Sequence, residues 1–104
     1  MAETEREGSK NFEAMETVNG IAIEVYQSNA TSNKGEYEIQ FPQIEIGDVA
    51  RERGVDDQVI RISENPETAK KVFEFAKKIA ESAKDVYAVY LAVQDFCRGL
   101  DDSE

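Results

Sequence analysis

The feature that most constrains the fold of this chain is a stretch of 32 residues, Ala69 to Leu100, with an unbroken helical pattern. It contains no proline, and its only glycine, Gly99, is the next-to-last residue. Apolar residues recur at spacings of three and four throughout, which is the period of one face of an α-helix. Pro66 suits the first turn of such a helix, and Gly99 suits its end. The sequence therefore predicts one helix running to Arg98.

This helix would be too long for the rest of the chain to cover. About 32 residues span roughly 48 Å, whereas a compact domain of about 100 residues is roughly 26 Å across. Either the helix breaks, for which Ser82 to Asp85 is the best place, or a second chain covers the remainder. Because no proline or glycine interrupts the pattern, we expect the helix to pair in a homo-oligomer, most simply a homodimer. The predicted interface is the apolar seam of Ala69, Val72, Ala76, Ile79, Ala83, Val86, Tyr90 and Val93.

Two segments ahead of the helix alternate between apolar and polar residues, which is the pattern of half-buried β-strands. They are residues 20–26 and 36–41, and a polar loop of residues 27–35 joins them. We expect an antiparallel hairpin. Pro42 cannot donate to a β-ladder, so it marks a bend at an edge of the sheet.

Two shorter elements complete the predicted fold. Asp48 is a good N-cap and Gly54 a good helix stop, which predicts a short helix over residues 49–53. Residues 58–63 have the composition of a third short strand. The expected class is α+β: an antiparallel hairpin or three-stranded sheet packed on one long C-terminal helix, with a short helix between.

The length of 104 residues fits one domain. Residues 1–17 are polar and charged with few large apolar anchors, which predicts a flexible N-terminal arm. Residues 18–100 then form the single α+β domain, and residues 101–104 form an acidic tail.

Targeting signals are not evident in the sequence. The first residues lack a basic segment followed by an apolar one, so no signal peptide is expected. The longest apolar run, Val86 to Val93, is too short to span a bilayer, and no membrane association is expected. A single cysteine cannot form an internal disulfide. We therefore expect a cytoplasmic location.

The strongest compositional signal is an excess of acids, with 22 acidic and 12 basic residues and a net charge of −10. Acids exceed bases by three in each of the ranges 1–17, 18–47 and 48–68, but only by one in 69–104. The acidity therefore lies ahead of the long helix. Direct binding to nucleic acid is disfavoured, because phosphate binding needs positive charge at the contact.

An acidic surface can serve solubility, or it can bind a basic partner. On the second predicted strand Glu36 and Glu38 are two residues apart, so they project from one side of the sheet. Glu24 joins them if the apolar sides of both strands face the helix. The candidate partner-binding residues are Glu24, Glu36, Glu38, Glu45, Asp56 and Asp57.

Catalytic residue patterns are missing from the sequence. The chain has no histidine, which removes the usual general base and most metal sites. Cys97 lies on the seam of the predicted helix with no candidate base, as expected of a structural thiol. No glycine-rich phosphate loop is present. We expect no enzymatic activity, no cofactor and no metal site.

The stretch IGDVARERGVDDQVIRI, from Ile46 to Ile62, resembles the opening helix-turn-helix of MerR-type regulators and excisionases. Those proteins begin with an Ile-Gly-acid-aliphatic-Ala run, a basic residue and then Gly-Val at the turn. The resemblance implies DNA binding, with Asp56 to Arg61 starting the recognition helix. The matching residues are Ile46, Gly47, Asp48, Val49, Ala50, Arg51, Gly54 and Val55.

Taken together, these features predict a small acidic protein that binds another protein. The main expectation is an inhibitor or regulator that occupies a basic surface on a larger protein. Nucleic-acid mimics, viral counter-defence proteins and toxin immunity proteins are of this kind. The alternatives are a helix-turn-helix DNA-binding regulator and a structural assembly subunit that dimerises through the long helix.

Overall fold

The computed structural model describes residues 13–102, which form a four-stranded antiparallel sheet with three helices. The strands follow one another in the sheet in the order β1-β2-β3-β4. The elements are β1 (Ala14–Val18), β2 (Ile21–Gln27), β3 (Tyr37–Gln40), α1 (Asp48–Glu52), β4 (Val59–Arg61), α2 (Pro66–Ala80) and α3 (Val86–Asp102). The predicted α+β class is confirmed.

The buried apolar residues of the strands face one side of the sheet. Val25 of β2 lies opposite Ile39 of β3, which in turn lies opposite Ile60 of β4. Ile23 and Ile39 are 0% exposed, whereas their neighbours along the strands are only half-buried. Because side chains alternate along a strand, this register gives the sheet one apolar and one polar face.

The first strand, β1, is absent from the sequence prediction. It pairs with β2 through a two-residue loop, Asn19-Gly20, in which both residues have positive φ, 55° and 78°. This is the backbone of the turn that matches the twist of a β-hairpin, and Asn-Gly is its preferred pair. Residues 14–17, predicted to belong to a flexible arm, therefore lie in the sheet, and that boundary is corrected. Residues 1–12 of the predicted arm lie outside the described residues.

The predicted continuous helix is wrong: the chain breaks into two helices, α2 and α3, which pack against each other. The break comprises residues 81–85. It includes Ser82 to Asp85, the segment in which a break was expected if the helix did not continue. Phe75 of α2 stacks on Phe96 of α3 with ring centroids 4.2 Å apart. Each helix is short enough to lie within the fold. The predicted stop at Gly99 is also wrong, since α3 continues to Asp102. Residues 103–104 lie outside the described residues.

Asn19 holds the end of α2 at this break. Its side-chain amide donates hydrogen bonds to the carbonyl oxygens of Ala80, at 3.0 Å, and Ala83, at 3.2 Å. The last carbonyls of a helix have no partner within the helix and need a donor from elsewhere. The turn between β1 and β2 supplies that donor.

Asp85 begins α3 and ties it to the segment that follows α1. Its Oδ1 accepts a hydrogen bond from the backbone N–H of Ala88 at 3.0 Å, as an N-cap does. The guanidinium of Arg53 donates two hydrogen bonds to the same carboxylate, at 2.8 Å to Oδ2 and at 3.3 Å to Oδ1. The Arg53 guanidinium also lies 5.5 Å from the centre of the Tyr87 ring. Both sides of the helix break are thus fixed by residues distant in sequence.

Replacing Asn19 with Asp should destabilise the fold by about 2 kcal/mol. The change removes two hydrogen bonds and sets a carboxylate against two carbonyl oxygens, while Asp tolerates positive φ nearly as well as Asn. The free energy of unfolding in urea measures the effect. Asn29→Asp, at an exposed loop asparagine, is the matched control because it adds the same charge. An equal loss in both variants would mean that the contact at the break contributes nothing.

Replacing Asp85 with Asn should make the free energy of unfolding less dependent on pH in the acidic range. Arg53 and the N–H of Ala88 lower the pKa of Asp85 below its ordinary value of 3.8. A lowered folded-state pKa contributes stability above the unfolded value, and that contribution is lost as the pH falls through the folded value. Asn still caps the helix, so the variant isolates the charge.

Urea unfolding between neutral pH and strong acid should show the two proteins furthest apart at neutral pH. The difference should narrow once the pH falls below 3.8. Asp95→Asn, at an exposed aspartate of the same helix, controls for the loss of one negative charge. A difference between wild type and Asp85→Asn that stays constant across the range would contradict the ion-pair account.

Candidate functional site

The sheet has two unlike faces. On the inner face, α2 packs on β2 and β3, and the buried residues of all three helices join the same apolar core. Among residues 13–102, no helix packs on the other face. Residues opposite each other in a β-ladder share a face, so the register defines this outer face. It comprises Met15, Thr17, Ala22, Glu24, Tyr26, Glu38, Gln40, Val59 and Arg61.

Tyr26 lies at the centre of the acids on the outer face. It is directly opposite Glu38 in the ladder, and its hydroxyl hydrogen-bonds to the Glu38 carboxylate. Burial is the largest cause of the raised pKa of Tyr26, and the negative charge of Glu38 and its hydrogen bond raise this pKa further. The charges of Glu24 and Asp57 raise this pKa in the same direction. The charges of three carboxylates from three parts of the chain therefore act on the pKa of one aromatic side chain.

Glu24 and Glu38 are diagonal neighbours across β2 and β3. Glu24 lies opposite Gln40, two residues along β3 from Glu38. Diagonal neighbours of this kind lie about 7–8 Å apart at their Cα atoms, within reach of long side chains. The sequence prediction of Glu24 and Glu38 on one face agrees with this register.

The four other predicted acids have different surroundings. Asp57 lies just before β4, where its Oδ1 accepts a hydrogen bond from the N–H of Gln58 at 2.7 Å. Glu36 is half-buried, and its Oε1 is enclosed without a hydrogen-bond partner among the described residues. Glu45 and Asp56 are exposed in connecting segments. Neither they nor Glu36 are among the charges that act on Tyr26.

Three outer-face residues did not enter the sequence prediction. Tyr26 falls on the polar side of β2, which the alternation of residues 20–26 does indicate. Met15 is 75% exposed on β1, a strand that the prediction lacked. Arg61 lies opposite Glu38 and is the only basic residue among the outer-face residues within 13–102. Finding these contacts required the register of β1 and β4.

The helix-turn-helix prediction is wrong. Asp48–Glu52 do form a short helix, and Gly54 follows it with a positive φ of 80° before the buried Val55. The segment that should be the recognition helix instead enters β4, where Val59–Arg61 pair with β3. The predicted N-cap, Asp48, is instead the first residue of the helix, and the resemblance reflects a short helix followed by a Gly-Val turn.

The predicted oligomer interface mostly lies inside this chain. Ile79, Ala83 and Val86 are half-buried and pack against the core. The other five residues are at most 2% exposed within the single chain, so they cannot line a contact with a second copy in this conformation. Their apolar seam faces the sheet and the other helix. These buried residues are Ala69, Val72, Ala76, Tyr90 and Val93.

Within residues 13–102, no group of three or more acidic or cysteine side chains is placed to hold a metal ion. None of the helices in this part of the chain is long and apolar enough to cross a membrane. Comparison with protein families, with curated proteins and with solved structures finds no match to this chain.

Replacing Glu38 with Gln should lower the pKa of Tyr26 toward its ordinary value of 10.0. The variant removes a negative charge and the charged hydrogen-bond acceptor that favour the neutral phenol. NMR titration of protein labelled with ¹³C at tyrosine Cζ measures the midpoint, and Tyr26→Phe assigns the signal. Glu74→Gln, on the outward side of α2, is the control. An unchanged Tyr26 midpoint in Glu38→Gln would contradict the contact.

Proposed function

We propose that this chain is a non-enzymatic protein that binds a basic surface on a larger protein through the outer face of its sheet, as an inhibitor or regulator. One observation carries the proposal. The strand register brings Glu24, Glu38 and Tyr26 together on the face that the described helices leave uncovered, and the charge of Asp57 also raises the pKa of Tyr26. The same function was expected from the acidic composition, and the outer face is the location that we propose for it.

The grouping of these charges has a physical consequence for binding. Like charges on neighbouring strands repel, so the group costs some stability in the free protein. A basic partner relieves this repulsion and is steered in over roughly a Debye length, about 8 Å at physiological salt. The structure thus supports an association rate that falls as salt rises.

Tyr26 supplies an aromatic contact surface, which the charged residues do not. Aromatic residues are enriched among the residues that dominate binding energy, because a tyrosine gives a large rigid surface with a polar tip. Its ring is half-buried between the flanking acids, so a partner meets apolar and charged surface together. This arrangement favours a specific contact over general solvation of the face.

The test compares two variants with the same net charge. Glu24→Gln/Glu38→Gln alters the outer face, whereas Glu74→Gln/Glu81→Gln alters acids of α2 and the turn after it. Each changes the net charge from −10 to −8, since two acids become neutral. Immobilised wild-type protein first captures the partner from the native host, and the purified partner is then used for kinetics.

The outer-face variant should associate about tenfold more slowly at low salt and lose most of its salt dependence. The α2 variant should behave as the wild type. An equal effect in both variants would mean that only the total charge matters. Unchanged association of the outer-face variant would place the contact elsewhere, and either result would overturn the proposal.

A further inference from the structure

An open cavity lies where β1 meets β2, and three of its six lining residues, Met15, Glu24 and Tyr26, belong to the outer face. Its volume is about 320 Å³, which is at the small end of ligand-sized pockets and suits a single side chain. Residues of both strands line it: Glu13, Ala14, Met15, Glu24, Val25 and Tyr26.

The walls of this cavity combine three kinds of chemistry. Met15 is 75% exposed and offers a flexible, polarisable apolar surface of the type used at adaptable binding sites. Tyr26 offers an aromatic ring, and Glu13 and Glu24 offer carboxylates. Within residues 13–102, no ion pair joins either glutamate to a basic side chain. A cavity lined by carboxylates, an aromatic ring and the apolar side chain of Met15 is complementary to a long cationic side chain.

We propose that this cavity receives an arginine side chain of the basic partner, an inference that rests on the proposed function. The aliphatic stem packs on Met15, and the guanidinium reaches Glu24 while stacking on the ring of Tyr26. Arginine suits this site better than lysine, because its planar group can stack on an aromatic ring and bind a carboxylate through two N–H groups. The basic residue of the outer face, Arg61, lies on β4, two strands away from the β2 wall.

The probe is N-acetyl-arginine methylamide, titrated into the full chain at constant ionic strength. The chain has two methionines, so a ¹³C-methyl methionine label gives two signals, and Met15→Leu identifies the signal at the cavity. The Met15 methyl signal should shift in a saturable way. The matching lysine amide should bind more weakly, and the citrulline amide, which has the same shape without the charge, should not saturate the shift.

Two variants test the walls separately. Tyr26→Leu and Glu24→Gln should each weaken arginine-amide binding by about fivefold, since each removes one favourable contact with the cation. Glu74→Gln is the control on α2 and should leave binding unchanged. Equal binding of the citrulline amide, or unchanged binding in both cavity variants, would overturn the inference.

Other occupants of the cavity give distinct results. Arg6 and Lys10 precede the first strand. If the amide binds only after Arg6→Gln/Lys10→Gln, the chain's own N-terminal segment is the occupant and the inference is wrong. Concentration-dependent shifts of Met15 without probe would identify a second copy and also overturn it. Failure of the amide with intact salt-dependent partner binding would leave the proposed function standing, so the two can fail independently.

Discussion

The structure depends on how the C-terminal end of α2 finds hydrogen-bond donors. A helix that stops inside a domain leaves its last carbonyl groups without partners, and leaving such groups unsatisfied is costly. Here the amide of Asn19 donates to Ala80 and Ala83 from the turn between β1 and β2. This contact joins the two hairpins of the fold, one of strands and one of helices. The two helices reverse direction beside the turn of the strand hairpin, so α2 lies against the sheet and α3 packs on α2.

The central strands and the fold class could be predicted from the sequence, and so could the place of a helix break, but not whether the helix breaks there. Alternation identifies β2 and β3 because each has one buried and one half-buried side. The break has no such local signature, since residues 81–85 contain neither proline nor glycine. Its partners come from far along the chain: Asn19 is 61 residues from Ala80, and Arg53 is 32 residues from Asp85. The Asn19-Gly20 pair was nevertheless a local signal for a hairpin and for the missing strand β1.

The helical periodicity indicated five residues that are buried and three that are half-buried, but it carried no information on what buries them. Ala76 and Val72 follow the spacing of a coiled-coil seam, and both are 0% exposed within this chain. The small side chain of an alanine lets any neighbouring element approach closely, whether a strand or a second helix. On the outer face, alternation indicated which residues share a side but not which residues they contact on the neighbouring strands. Alternation placed Glu24 and Glu38 on one side, but the central position of Tyr26 depends on the register between strands.

The two-faced sheet separates the folded core from the surface that we propose for binding. The inner face holds the residues with almost no exposure, such as Ile23 and Val25, and it is covered by the helices. Glu24 and Tyr26 alternate with them along the same strand but project to the other side. Substitution at these outer positions therefore leaves the core contacts in place while changing the charge and shape that a partner meets. Because β2 contributes alternate residues to the two faces, the residues of the outer face can change at little cost to the fold.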